Sequence, residues 1–309
     1  MRIATYNAYE NVIINLQGRQ RGLQQSQEQL TSGKRVAKPS DDPVAAARAE
    51  RALATMTRAD AHQRALEASR TATQLTESAL GDAGELVQQA REALMAAGNP
   101  SYTDGERGML VQSLRGLRQQ LLAVANRADG TGSYLFGGQG SSAPPFVDAP
   151  GGVLYNGLAG DTMVASHESL STALDGSYSW LQAPAAVVGD PPLSIFNVMD
   201  AAIGSLSATG VTDPQVATAV HDGLRDIDAF HNHLLSVRAR TGEALNRTDS
   251  AELRNADAKL AAQTERSSAE DLDMVQAISD FQNRQTGYDA ALKAYSLVQR
   301  MSLFNYIGG

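Results

Sequence analysis

The chain has 309 residues, 42% of them hydrophobic but only 5% aromatic, and a formal charge of −8 from 26 Lys and Arg against 34 Asp and Glu. No basic surplus is available to neutralise phosphates, which argues against a nucleic-acid partner, and no apolar run approaches the ~20 residues of a membrane span. The absence of cysteine excludes disulfides, thiol catalysis and Cys-ligated zinc.

The opening Met1-Arg2-Ile3-Ala4-Thr5-Tyr6-Asn7 lacks the apolar core of a secretory signal, so any export is expected to use another route. Tyr9, Leu16, Leu23 and Leu30 then recur every seven residues. The second line beside them is poor, with Ile13 followed by Gln20 and Gln27. A helix with half a seam is marginal alone and needs a partner.

Asp42-Pro43 predicts a helix start, an N-cap carboxylate followed by proline at the first helical position. Leu66, Ser69, Thr73, Thr76, Leu80, Ala83, Val87, Ala90, Leu94 and Ala97 follow the 3-4 spacing of a packing seam, and Gly98-Asn99-Pro100 stops it. Thr103 and Glu106 form a capping-box signature for the next helix, carried by Leu110, Leu114, Leu117, Leu121, Val124 and Ala128.

Between Arg127 and Arg225 there is no Lys or Arg, and six of the ten prolines fall between Pro144 and Pro192. With Gly137-Gly138, Gly151-Gly152 and Asn156-Gly157, this predicts a β-rich insert over 131–195. Asp213-Pro214 repeats the helix-start signal, with Asp213 as the expected cap. Val220, Gly223, Ile227, Phe230, Leu234, Val237, Thr241 and Ala244 again follow 3-4 spacing. A rod reaching residue 262 would be roughly 70 Å long at ~1.5 Å per residue, so an elongated molecule is expected.

The last segment carries two heptad lines, Ile278-Gln285-Leu292-Gln299 and Phe281-Tyr288-Tyr295-Ser302. No enzyme chemistry is expected. His231 and His233 are two apart on a helix and point away from each other, which disfavours a shared metal. His62, His167 and His221 stand apart, and Asp41-Asp42 is explained by capping. Gly130, Gly132 and Gly137 lack nucleotide-loop spacing, and no cofactor is implied.

Leu30-Thr31-Ser32-Gly33-Lys34-Arg35-Val36 followed by Pro39-Ser40-Asp41-Asp42-Pro43 resembles the N-terminal signature of the bacterial flagellin superfamily. Asp271-Leu272, Ala277-Ile278, Gln285-Thr286, Ala294-Tyr295 and Ser302-Leu303-Phe304-Asn305-Tyr306-Ile307 resemble the C-terminus of its hook-filament junction branch. Gly132-Ser133-Tyr134-Leu135-Phe136-Gly137-Gly138 is similar to the element that closes that branch's first helical rod. Lys38-Pro39 before Ser40-Asp41-Asp42-Pro43, and the ending Phe304-Asn305-Tyr306-Ile307, favour this branch over filament flagellins.

The resemblance implies a mainly α, elongated rod with three layers. Residues 1–43 and 263–309 would be a terminal coiled-coil assembly region, 44–130 and 196–262 a helical rod domain, and 131–195 an outer β-rich domain. The implied role is structural, joining filament to hook outside the cell after unfolded export through the flagellar type III channel without a cleaved signal. Implied partners are hook-associated protein 1, flagellin, further copies in a ring and a cytosolic export chaperone. The expected assembly residues are Leu16, Leu23, Leu30, Ile278, Phe281, Leu292 and Tyr295. A minor flagellin is the nearest alternative. A surface adhesin using the insert, with Trp180, Tyr155 and Tyr178 as anchors, is a third.

Overall fold

The computed structural model describes residues 2–130, 132–140, 143–160, 162–164, 170–187, 189–208 and 210–307, with the side chains of 2–9, 162–164, 170–172 and 298–307 outside that description. The chain is mostly helical. In order come α1 (Arg2–Ser32), α2 (Pro43–Ala97), α3 (Asp104–Ala125), four short strands β1 (Phe146–Ala149), β2 (Gly152–Tyr155), β3 (Thr162–Val164) and β4 (Leu170–Ala173), a π-helical turn (Ser177–Leu181), α4 (Ile195–Ser207), α5 (Asp213–Glu270) and α6 (Met274–Ile307). Two compact units form: Met1–Asp60 with Ala256–Gly309, and Ala61–Asn255.

Local chemistry sets the helix ends. Asp42 Oδ1 accepts from the amides of Val44 and Ala45 at 3.2 and 3.0 Å, with Pro43 opening α2. The Thr103–Glu106 capping box is complete at the start of α3. At α5 the cap lies one residue before its expected place. Asp213 is the first helical residue, while the N–H and Oγ1 of Thr212 both donate to Gln215 Oε1 at 3.0 Å. Thr-x-x-Gln is itself a box signature, and the half of it in which the Gln215 side chain accepts from Thr212 is present. Helix α5 also runs past the expected end near 262, because nothing from 263 to 270 breaks it. It stops at Asp271, and Asp273 Oδ1 caps α6 by accepting from Val275 and Gln276 at 3.0 and 3.1 Å.

In the unit of residues 61–255, α2 and α5 run antiparallel, as ion pairs Arg70–Glu252, Arg238–Glu77 and Arg91–Asp228 record. Their apolar seam joins α3 and α4 in one core. At its centre is Trp180, fully buried, with the rings of Phe136, Phe146, Phe196 and Phe230 at 5.3, 6.3, 6.2 and 6.5 Å. Each well-oriented ring pair adds roughly 0.5–1.5 kcal/mol beyond area burial. Trp180 is therefore core material, not the surface anchor expected of it. Tyr155 is likewise turned inward and donates its hydroxyl to Phe136 O at 3.1 Å. Tyr178, 39% exposed, packs its ring against His233 and under the Arg240 guanidinium.

Among the described residues the insert holds two two-stranded antiparallel sheets, β1 paired with β2 and β3 with β4. Tight backbone approach does the remaining work. Gly138 has φ +64, and a Cβ there would collide with Leu158 O, so only glycine fits. Leu135 and Phe136 beside it are buried. Arg118 of α3 donates to both carboxylate oxygens of Asp148 (3.1 and 2.7 Å) and to Asp200 (2.9 Å), tying β1 and α4 to α3. Its hydrogen bonds hold the Asp148 carboxyl below the usual range.

Candidate assembly face of the terminal helices

The unit of residues 1–60 and 256–309 is held at one end by a clamp. Gly33, with φ +69, ends α1 in the left-handed conformation, and its N–H donates to Gln29 O at 2.9 Å. The chain then meets the α5–α6 turn. Leu272 N donates to Gly33 O at 3.0 Å and Arg35 N to Glu270 O at 2.7 Å. Lys34 pairs with Glu270, while Arg35 Nη2 donates to Ala269 O at 2.8 Å and Nη1 reaches Asp42 at 3.3 Å. The backbone hydrogen bond from Ala45, and after it the side-chain one from Arg35, push the Asp42 carboxyl below its ordinary value. Asp41 Oδ2 accepts from the amides of Ala37 and Lys38 at 3.2 and 2.9 Å. The Gly33-Lys34-Arg35 and Asp41-Asp42-Pro43 residues thus act together, turning the chain and fastening both terminal helices at the turn.

From that clamp α1 and α6 run antiparallel in contact. Arg284 Nη1 donates to Gly22 O at 3.0 Å, and a Cβ on Gly287 would lie 3.0 Å from Arg19 Nη1. Each arginine crosses a glycine of the opposite helix, which gives its guanidinium room. Leu16, Leu23 and Leu30 are half-buried, as are Phe281, Tyr288 and Tyr295. Three-residue steps from Leu16 and Leu23 fall on Arg19 and on Ser26, which is 6% exposed. The expected second line is not used: Ile13 is 42% exposed, and Gln20 and Gln27 are exposed too. A 3.6-residue helix lets either a three- or a four-residue step share a face, and after Leu23 the three-residue step buries Ser26 while Gln27 stays exposed.

The expected assembly residues divide into two groups. Leu16, Leu23, Leu30, Phe281 and Tyr295 lie on the half-buried lines. Ile278 and Leu292 do not; they are 46% and 40% exposed, as are Val275 (82%) and Leu297 (59%) on the same helix. The side chains of Tyr9, Gln299 and Ser302, and the whole of His167 and Gly308-Gly309, lie outside the described residues. Sequence reasoning missed Arg19, Gly22, Ser26, Arg284 and Gly287. The one available signal was the two glycines inside otherwise unbroken helices.

Among the described residues no group of three or more His, Asp or Glu could hold a metal ion. His231 faces Gln88, with ring nitrogen and amide 3.3 Å apart, while His233 is buried with Nε2 2.9 Å from Tyr178 O. No described helix is long and apolar enough to cross a membrane.

Residues 3–141 match the bacterial flagellin N-terminal helical region. Over 98% of its length the chain is 31% identical to flagellar hook-associated protein 3 of Salmonella typhimurium, covering 99% of that protein. The chain belongs to the flagellar hook-associated protein 3 family. Its fold is that of solved relatives of this family. A putative flagellar hook-associated protein from Vibrio parahaemolyticus aligns at TM-score 0.65 with 18% identity, over 75% of this chain and all of that one. The flagellar junction protein FlgL from Legionella pneumophila aligns at TM-score 0.60 with 20% identity, over 72% of this chain and all of that one.

Proposed function

We propose that this chain is the structural subunit joining filament to hook in the bacterial flagellum, and that it assembles through α1 and α6. The near full-length identity to a hook-associated protein 3 carries this reading, and favours it over a minor flagellin. The name of the Legionella relative, a flagellar junction protein, points the same way.

In this reading the terminal helices, 1–43 and 263–309, are a coiled-coil assembly region in which Leu16, Leu23, Leu30, Phe281 and Tyr295 fix the pair. Ile278 and Leu292 remain open for neighbouring copies. Residues 44–130 and 196–262 form the helical rod domain, and 131–195 the outer β-rich domain. The partners are hook-associated protein 1, flagellin, further copies in a ring and a cytosolic export chaperone. The protein works outside the cell, exported without a cleaved signal, and catalyses no reaction. Deleting the gene and imaging the cells tests this: hooks without filaments, with flagellin shed into the medium, are expected. Cells that keep normal filaments would contradict it.

A further inference from the structure

The two terminal helices carry the same short pattern at the point where they cross. Arg19-Gln20-Arg21-Gly22 on α1 is matched by Arg284-Gln285-Thr286-Gly287 on α6, an arginine three residues before a glycine in each. Because the helices run antiparallel, Arg284 meets Gly22 while Arg19 meets Gly287, a reciprocal contact with local two-fold character. Arg19 stands three residues after Leu16 and four before Leu23, and Arg284 likewise between Phe281 and Tyr288. Each arginine therefore shares a face with the half-buried line of its own helix. The Gly22 carbonyl, bare of any side chain, accepts from Arg284 Nη1 and from the Ser26 hydroxyl, both at 3.0 Å.

Glycine inside a helix is destabilising relative to alanine, so two half-buried glycines within α1 and α6 call for a reason. Gly18, one turn before Gly22, gives the comparison. A Cβ there would meet nothing within 4 Å, against 3.6 Å to Arg284 Nη1 at Gly22 and 3.0 Å to Arg19 Nη1 at Gly287. Apolar content does not by itself decide which way α6 faces, because Ile278 and Leu292 lie on one heptad line and Phe281, Tyr288 and Tyr295 on the other. The clamp at Gly33 fixes where the pair begins, about three helical turns from Gly22. We propose that the reciprocal Arg–Gly crossing is the facing lock of this pair: it turns the Phe281–Tyr288–Tyr295 line toward α1 and so leaves Ile278 and Leu292 outward. Rolling α6 by one residue position, about 100°, would carry Arg284 off the Gly22 carbonyl and take the Gly287 notch from under Arg19. Arg19, Gly22, Arg284 and Gly287 are thus positioning residues for the terminal helices.

The consequence for assembly rests on the proposed role of α1 and α6, but the lock is read in the isolated full chain, so the two readings fail separately. Nitroxide labels on Gln25→Cys and Lys293→Cys, exposed positions in a chain without cysteine, report the α1–α6 distance by pulsed electron resonance. A single narrow distance is expected. Arg284→Ala and Gly287→Leu should each replace it with a broad distribution, whereas Gly18→Leu should keep it. Adding Arg19→Ala to Gly287→Leu should restore the narrow peak, since the leucine then takes space the guanidinium has left, and a merely disrupted helix would not be rescued this way. An unchanged narrow peak in either Arg284→Ala or Gly287→Leu would overturn the proposal. So would broadening by Gly287→Leu that Arg19→Ala leaves in place, or equal broadening by Gly18→Leu.

Discussion

The two compact units spend their apolar residues in opposite ways. The unit of residues 61–255 buries its large ones: Trp180, four phenylalanines and a run of leucines and isoleucines lie in one core. In the unit of residues 1–60 and 256–309, the fully buried hydrophobic residues described are Val36 and the alanines 45, 49, 52, 59, 262 and 269. Several of its large apolar side chains, among them Ile13, Ile14, Leu260, Val275, Ile278 and Leu297, are exposed, and Leu16, Leu23, Leu30 and Phe281 are only half-buried. Burying one Val, Leu, Ile or Phe side chain is worth roughly 1.5–3 kcal/mol, so the second unit leaves much of its available stabilisation unused in the single chain. A surface of that kind fits the proposed packing against neighbouring copies.

The contrast breaks most visibly at the aromatic centre. Trp180→Ala should cost about 3–5 kcal/mol in chemical denaturation, as a large cavity opens in a fully packed site. Trp180→Phe should cost clearly less, since Trp180 Nε1 makes no hydrogen bond among the described residues and its loss leaves no partner stranded. Next comes Arg118→Ala, expected to lose about 1–3 kcal/mol because the Asp148 and Asp200 carboxylates lose a shared charged donor. A smaller effect is pH-dependent. Burial pushes the His233 imidazole below its ordinary pKa, only partly offset by its bond to Tyr178 O. The unfolded chain then takes up this proton first, so stability should be full above about pH 6.5 and fall as pH drops from there, levelling off below the folded pKa. Melting temperatures between pH 7.5 and 5 would show the slope, and His233→Gln should flatten it. The smallest change should follow trimming the chain to residues 44–262, which keeps the entire aromatic core. A shift of only a few degrees in Tm is expected, whereas a collapse would mean that the ends hold up the core.

Much of this was legible from residue spacing. The 3-4 seam from Leu80 to Ala97, the Thr103–Glu106 box and the Asp42-Pro43 start all depend on neighbours within one or two helical turns, which a sequence displays directly. The cap at Thr212 rather than Asp213 was equally visible, but two overlapping start signals compete there. Three features needed the third dimension. Trp180 reads as an anchor in a polar, glycine-rich stretch until the chain folds it among rings from positions 136, 146, 196 and 230. On α1 Ser26 rather than Gln27 is buried, next to Gly22 where Arg284 of α6 reaches the backbone, a fact about the opposite helix. The division of the C-terminal heptads, with Phe281 and Tyr295 half-buried and Ile278 and Leu292 open, depends on which way α6 faces α1.

That last division is the most direct point of attack. Leu292 is 40% exposed, so Leu292→Asp should leave the isolated protein soluble with an unchanged melting temperature. In a closed interface between copies the same aspartate would be an unpaired buried charge, costing several kcal/mol at every subunit. Cells carrying Leu292→Asp should therefore export the protein yet show hooks without filaments, while Lys293→Asp and Asp289→Lys on the same helix are tolerated. Motile, filament-bearing cells with Leu292→Asp, or a purified protein that unfolds because of it, would contradict the assignment of this open face to assembly.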